Sequence, residues 1–329
     1  MFGVFCFLPS FLYISDMKNK ILILLMSCNQ PLYEQEEQAC RDTFLKDAEG
    51  AGLSYYFYKG TEGELSIDEK THTMLLPVPD SLGGTSRKTV LALTEALKMD
   101  DWDYVIKTNV STWLDIAKVV KAVEKWEGSD DRNIYGARFI ANDASRKVPF
   151  PRGHFMVLSR FLAEGIVTWA PKLLNASDMP KTDDTLVCLS LLYHLQKVCG
   201  DTYADRLMEV PAVNRWTDNI QDAQEWTDAL SVRCKDEVTP ENTPDNMRKV
   251  HKLKRSKNQM RMYRRPMGLT ETKYGMMTYP TFQKVCAVVD QMKRAREESQ
   301  TTPAQKQEQR QQEEDRIEQI RKKLTEKKQ

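Results

Sequence analysis

The chain contains no Cys-x-x-Cys pair, no Walker A phosphate loop, no Gly-x-Gly-x-x-Gly run and no His-Glu-x-x-His pair. Those absences remove the common sequence routes to a P-loop nucleotidase, a dinucleotide-binding dehydrogenase and a zinc hydrolase. Charge of one sign is also lacking. Lys+Arg 48 against Asp+Glu 47 leaves a net charge of +1, so no global field draws nucleic acid or acidic membrane, and an electrostatic partner must be met by a local patch. The seven cysteines (Cys6, Cys28, Cys40, Cys188, Cys199, Cys234 and Cys286) are odd in number and scattered, which fits neither a disulfide framework nor a zinc site. They read as reduced thiols, and the expected location is cytoplasmic. Long hydrophobic runs are missing too. The opening stretch, MFGVFCFLPSFLYIS, falls short of the roughly 20 apolar residues that cross a bilayer and has no basic flank, so no transmembrane span is expected. It is either a targeting segment or a leader upstream of a start at Met17, beside Lys18 and Lys20.

What is present is an alternation of strand-like and helix-like segments over a chain of 329 residues, long enough for one substantial core with accessory parts. The continuous apolar run Ile21 to Ser27 reads as a buried parallel strand, followed by a helix from Glu34 to Ala48. Further strands are expected at Ser54 to Tyr58, Tyr104 to Thr108, Ile134 to Phe139 and His154 to Ser159. Helices are expected at Ser86 to Lys98, Leu114 to Trp126, Arg160 to Val167 and Asp184 to Gln196, with short extended pieces near Met208 to Val213 and Ser231 to Cys234. This order predicts an α/β fold with a mostly parallel, twisted, doubly wound sheet. In such sheets ligands sit beyond the carboxyl ends of the strands, so Ser27 to Gln30 and Thr108 to Trp113 should share one crevice. Composition divides the chain into the leader 1–20, a main α/β domain 21–240, a basic helical extension 241–299 and a charged helical or disordered tail 300–329. The extension holds two helix candidates, Asn246 to Arg265 and Phe282 to Arg296.

Chemistry concentrates in four segments. WDYVIKTNVSTWLDI, Trp102 to Ile116, carries small polar side chains to a strand end just before a helix. SCNQ at Ser27 to Gln30 is followed by ACRDTFLK at Ala39 to Lys46. PDSLGGTSRKTVLALTEAL spans Pro79 to Leu97. PFPRGHFMVLSRFLAEGIVTW, Pro149 to Trp169, leads to KTDDTLVCLSLLYHL, Lys181 to Leu195, where Asp183 and Asp184 stand at the mouth of an apolar helix. On their own these residues also have plain structural uses. Acids suit the first turn of a helix, Asn109 and Ser111 suit a turn and a cap, and Trp169 suits a core.

In this order the segments resemble the β1,3-glycosyltransferase and Fringe group, a GT-A-like single domain with a C-terminal helical extension. Lys107 and Thr108 match the strand end that in β1,3 enzymes reads Lys-Thr-Asp-Asp-Asp, but Asn109, Val110 and Ser111 replace the acidic run that holds a divalent metal, Mn or Mg, on the nucleotide diphosphate. An amide and a hydroxyl bind a hard cation weakly. The resemblance implies a nucleotide-sugar donor held by Ser27, Asn29, Arg41, Lys88, Asn109 and Ser111, with Arg41 and Lys88 near the diphosphate. It implies an acceptor near Gly153 and Trp169, Asp184 as the base that takes the acceptor proton in an inverting transfer, and Asp183 as its orienting or acceptor-binding neighbour. His251 is the weak candidate for a late metal-binding histidine. The resemblance implies a glycan or polysaccharide acceptor. Because MRKVHKLKRSKNQMRMYRR, 247–265, is a basic run suited to phosphates, DNA carrying a hydroxymethylated base is the alternative acceptor. A catalytically inactive nucleic-acid or protein-binding module is the alternative from another class.

Overall fold

The run ILILLM sends Ile21, Ile23 and Leu25 into one apolar cluster and Leu22 and Leu24 into another, so the first strand is covered on both faces. The computed structural model describes residues 20–99, 101–126, 129–140, 148–174, 182–200, 203–214, 226, 228–261, 270–272 and 275–277. In chain order these form β1 (Ile21–Met26), α1 (Pro31–Asp42), α2 (Phe44–Gly50), β2 (Ser54–Gly60), β3 (Ser66–Asp68), β4 (Thr73–Leu76) and α3 (Thr85–Leu97). Then come β5 (Tyr104–Asn109), β6 (Thr112–Leu114), α4 (Ile116–Trp126), β7 (Ile134–Gly136), β8 (Phe139–Ile140), β9 (Phe150–Pro151), β10 (Phe155–Ser159), α5 (Arg160–Leu174) and α6 (Asp183–His194). The series ends with β11 (Leu207–Glu209), β12 (Ala212–Val213), β13 (Ser231–Arg233) and α7 (Thr243–Arg261). The chain divides into two units, Met1–Arg264 and Arg265–Gln329. In the second, Thr270–Thr272 pairs antiparallel with Gly275–Met277. The expected helix Phe282 to Arg296, the leader and the charged tail lie outside the described residues.

The main sheet has the order β11-β7-β10-β5-β1-β2-β4-β3. β1 runs parallel to both β5 and β2, and β2 parallel to β4, while β10 runs antiparallel to β5 and β7 and β3 antiparallel to β4. The sheet is therefore mostly parallel, with a reversed strand between β5 and β7 that simple alternation did not announce. Helices α3, α5 and α6 pack on one face, and α1, α2, α4 and α7 on the other, giving three layers around the two apolar clusters. Among the described residues no helix is long and apolar enough to cross a membrane.

Two local departures from the sequence reading have clear causes. The expected helix Glu34 to Ala48 is split into α1 and α2 at Thr43, whose hydroxyl donates back to the carbonyl of Ala39 at 2.6 Å and whose backbone leaves the helical region. The basic helix is also not a free extension. Met247 and Val250 of α7 are fully buried in the cluster that holds Ala39 and Cys40 of α1. Arg248 pairs with Asp42 at 3.3 Å and Arg255 with Asp47, while the ammonium of Lys254 lies 4.6 Å from the centre of the Trp226 ring. Burial pushes the Lys254 amine down to about 7. Lys254 is thus buried in seating α7, while Arg248 and Arg255 stay exposed in surface ion pairs.

Candidate active site

β1 and β5 are neighbours in register, with Met26 opposite Asn109, so the chain leaves both strands at the same edge. The segments beyond these ends open into a cleft of about 650 Å³, lined among others by Ser27, Glu36, Asp80, Lys88, Asn109, Ser111, Asp183, Asp184, Arg233 and Lys235. That is the crevice which strand topology predicts.

Two buried ion pairs form its walls. Lys88, on α3 and 3% exposed, donates to Asp80 Oδ1 at 2.7 Å and to the carbonyl of Ser27 at 3.0 Å. Asp80 is further held by the backbone N–H groups of Asn29 at 2.5 Å and Gly60 at 3.1 Å, and this set of donors keeps its carboxyl below the usual range despite burial. Gly60 allows this approach, since a Cβ there would lie 2.5 Å from the carbonyl of Val78 and 2.7 Å from Asp80 Cα. Gly60→Ala is expected to lose about 1–3 kcal/mol through overpacking, measured by urea denaturation. An unchanged midpoint would show that the Asp80 turn yields freely.

The second pair joins Lys107, 1% exposed on β5, to Asp183 at the start of α6. Lys107 also donates to the carbonyl of Gly153 at 2.8 Å, and Thr108 donates to the carbonyl of His154 at 2.6 Å. The Lys-Thr strand end thus fastens the turn before β10 to β5. The Gly153 N–H points at Asp184 Oδ2, 3.3 Å away, while Asp184 Oδ1 accepts from the N–H of Thr185 at 3.1 Å. Burial, and then the neighbouring Asp183 charge, hold the Asp184 carboxyl above its ordinary value. Of the adjacent acids, one is neutralised by an internal cation and the other remains a stronger proton acceptor.

Glu36 of α1 is a cleft residue that the sequence reading missed. It is 5% exposed, has no hydrogen-bond or ion-pair partner among the described residues, and burial raises its carboxyl to about 7 against some opposition from Lys235. Cys28 and Tyr33 are the neighbouring titratable groups on the β1–α1 side, and both are themselves shifted upward, chiefly by burial. Because the folded state binds the Glu36 proton more tightly, its stabilising contribution is complete below the unfolded value near 4.5 and is lost as pH rises through about 7. Glu36→Gln is therefore expected to stabilise the protein at pH 8 by roughly 2–3 kcal/mol, with the difference shrinking toward pH 4.5. Thermal melts across that range check it, and a pH-independent difference would contradict it.

Of the residues nominated from sequence, Ser27, Lys88, Asn109, Ser111, Asp183 and Asp184 line the cleft. Gly153 adjoins it through its bond to Asp184. Ser27 spends its hydroxyl on Glu37 and is a wall residue, and the charge of Lys88 is met by Asp80. Asn109 is oriented so that its amide nitrogen reaches the carbonyls of Thr108 and Gly153, 3.2 Å each. Asn29 braces the Asp80 turn through its side-chain bond to the Gly60 carbonyl at 2.9 Å. Three nominated residues stand elsewhere. Arg41 lies over the Phe57 ring at 4.5 Å and donates to Thr71 and Tyr55, so its charge faces the β2 side. Trp169 stacks on Tyr193, with ring centres 5.9 Å apart, where α5 meets α6. His251 accepts from Trp113 Nε1 at 3.3 Å, and burial lowers its basicity.

The strand end itself does not offer a carboxylate set for a divalent metal. Among the described residues no group of three or more His, Cys, Asp or Glu side chains converges on a point. Asp80 and Asp183 are taken up by lysines, and the strand end offers only Asn109 and Ser111.

No family model matches the chain, and no curated protein does. Among solved structures it is similar to a glycosyltransferase involved in the glycosylation of the major capsid of PBCV-1, at 12% identity and TM-score 0.42 over 69% of this chain and 99% of that one. It is also similar to the galactosyltransferase LgtC in complex with donor and acceptor sugar analogues, at 9% identity and TM-score 0.39 over 71% and 95% of the two chains.

Proposed function

We propose that this protein is a GT-A-like glycosyltransferase that moves a sugar from a nucleotide donor to an acceptor hydroxyl with inversion, Asp184 taking the hydroxyl proton. One observation carries the reading: the carboxyl of Asp184 shares a cleft at the ends of β1 and β5 with Asn109 and Ser111, although these residues come from distant parts of the sequence. An acceptor hydroxyl is a weak nucleophile until a base removes its proton, and a carboxylate with raised basicity is suited to that step. Gly153 N–H and Thr185 N–H fix its two oxygens, and the Lys107–Asp183 pair braces the turn from the other side. We take the acceptor to be a glycan or polysaccharide hydroxyl.

The test incubates the full chain with a panel of nucleotide sugars, in Mg²⁺, Mn²⁺ or EDTA, and follows release of nucleoside diphosphate. Turnover of one donor supports the reading and identifies that donor. No turnover and no thermal stabilisation by any nucleoside diphosphate would sink it, because a bound ligand raises apparent stability by mass action.

A further inference from the structure

We infer that Arg233 and Lys235 form a phosphate-binding pair that holds a diphosphate at the ends of β1 and β5 without a divalent metal. That the diphosphate belongs to a nucleotide sugar rests on the function proposed above; the anion site itself rests on geometry and charge.

β13 runs antiparallel to β6 with Arg233 opposite Thr112, and the N–H of Cys234 donates to the carbonyl of Ser111 at 2.9 Å. Arg233 and Lys235 therefore flank the buried Cys234 on the same side of an extended segment, and both line the cleft beside Asn109 and Ser111. The strand end offers an amide and a hydroxyl, and two cations line the cleft with it.

The charges around the cleft compensate that pair only in part. Asp80 and Asp183 are closed off by Lys88 and Lys107. Glu36 and Asp184 line the same cleft, and burial raises both carboxyls, Glu36 to about 7. Among the described residues the only acid paired with Arg233 is Glu237, at 3.3 Å and with its side chain 53% exposed, and Lys235 has none. Arg152 stands close enough to Arg233 and Arg138 that, after burial, these two charges lower its own pKa. The same cations, Arg233 first and Arg152 next, add to burial in keeping the buried His154 neutral, its value pushed down to about 3. Like charges gathered beside a cleft repel one another, and an anion bound there relieves the repulsion. A guanidinium and an ammonium side by side also match what a diphosphate needs, a bidentate fork for one phosphoryl group and a point charge for the other.

The probe is inorganic pyrophosphate, titrated calorimetrically into the full chain in EDTA. Wild type is expected to bind, with affinity falling as salt rises. Arg233→Gln and Lys235→Gln should each weaken binding roughly tenfold or more, and the double variant should abolish it. Glu237→Gln, which removes the competing acid, should tighten binding. Lys235 and Glu237 are exposed and the Arg233 side chain is 24% exposed, and thermal melts confirm that each variant is folded. No binding by wild type, binding that requires Mg²⁺ or Mn²⁺, or unchanged binding by the double variant would each overturn the inference. The two readings separate cleanly. Pyrophosphate binding with no turnover of any nucleotide sugar leaves the anion site and removes the transferase, whereas wild-type turnover by the double variant removes the site and leaves the transferase.

Discussion

Asp184→Asn is expected to lower kcat/KM for sugar transfer by about 10²–10⁴-fold, the usual contribution of a positioned general base, while leaving donor binding near wild type. The amide keeps one acceptor for the N–H of Gly153 or Thr185, so the turn before β10 should hold its place. The same substitution should stabilise the protein at neutral pH. Burial and Asp183 raise the Asp184 carboxyl in the folded state, so its favourable contribution is complete below the unfolded pKa and is lost as pH rises through the folded one. Above that window the wild-type chain holds a poorly solvated carboxylate and the variant does not. Single-turnover kinetics and melting curves from pH 4 to 8 check both halves. A variant that transfers sugar at the wild-type rate would remove Asp184 from the chemistry. Inactivity without a pH-dependent gain in stability would instead point to a distorted cleft.

Asp183→Ala is expected to be among the most destabilising changes in the chain, by about 3–5 kcal/mol, because it strands the buried ammonium of Lys107. Burial alone would lower the Lys107 pKa, but Asp183 and then Tyr58 outweigh it and raise the group to about 12. The pair therefore contributes its stability fully below the unfolded lysine value near 10.5, and that contribution is lost only as pH rises through about 12. Without Asp183 the lysine shifts downward, so the deficit should narrow in alkaline solution, where a neutral amine enters the core. Lys107→Met combined with Asp183→Leu should recover much of the loss, since apolar replacement of a buried pair is often close to neutral. Equilibrium unfolding in urea at pH 7 and pH 10 measures all three chains. A loss below about 1 kcal/mol for Asp183→Ala would mean that water reaches Lys107.

The central layer was legible because β1, β2 and β5 carry apolar runs that only a doubly covered strand explains, and the alternation with α3 and α4 fixed their direction. The reversed β10 was not legible, since Phe155–Ser159 is as apolar as a parallel strand and orientation leaves no mark on such a run. Strands β3 and β4 are short and near the sheet edge, below the length at which periodicity speaks. At the candidate site the acids and small polar residues stood out by type and position. Their pairing did not. Lys88 and Arg41 looked alike as cations within motifs, yet one is buried against Asp80 and the other lies on an aromatic ring outside the cleft. Glu36 sits in a helix beside a second buried acid, Glu37, and only tertiary packing shows that Glu37 meets Lys59 and Ser27 while Glu36 faces the cleft. Arg233 and Lys235 lie about 120 residues beyond the strand end they accompany, carried there by a strand of three residues that no local pattern ties to it.

The seating of α7 on α1 also governs how the chain reaches its folded form. Asp42 and Arg248 meet across 206 positions, among the longest separations in the fold. Contacts of such range close late, because loop entropy must be overcome before they return any stabilisation. During synthesis the apolar side of α1 emerges early and waits for a helix near the far end of the compact unit. Until Val250 has left the ribosome, that strip of surface lacks the helix that covers it and is open to chaperones and to other nascent chains.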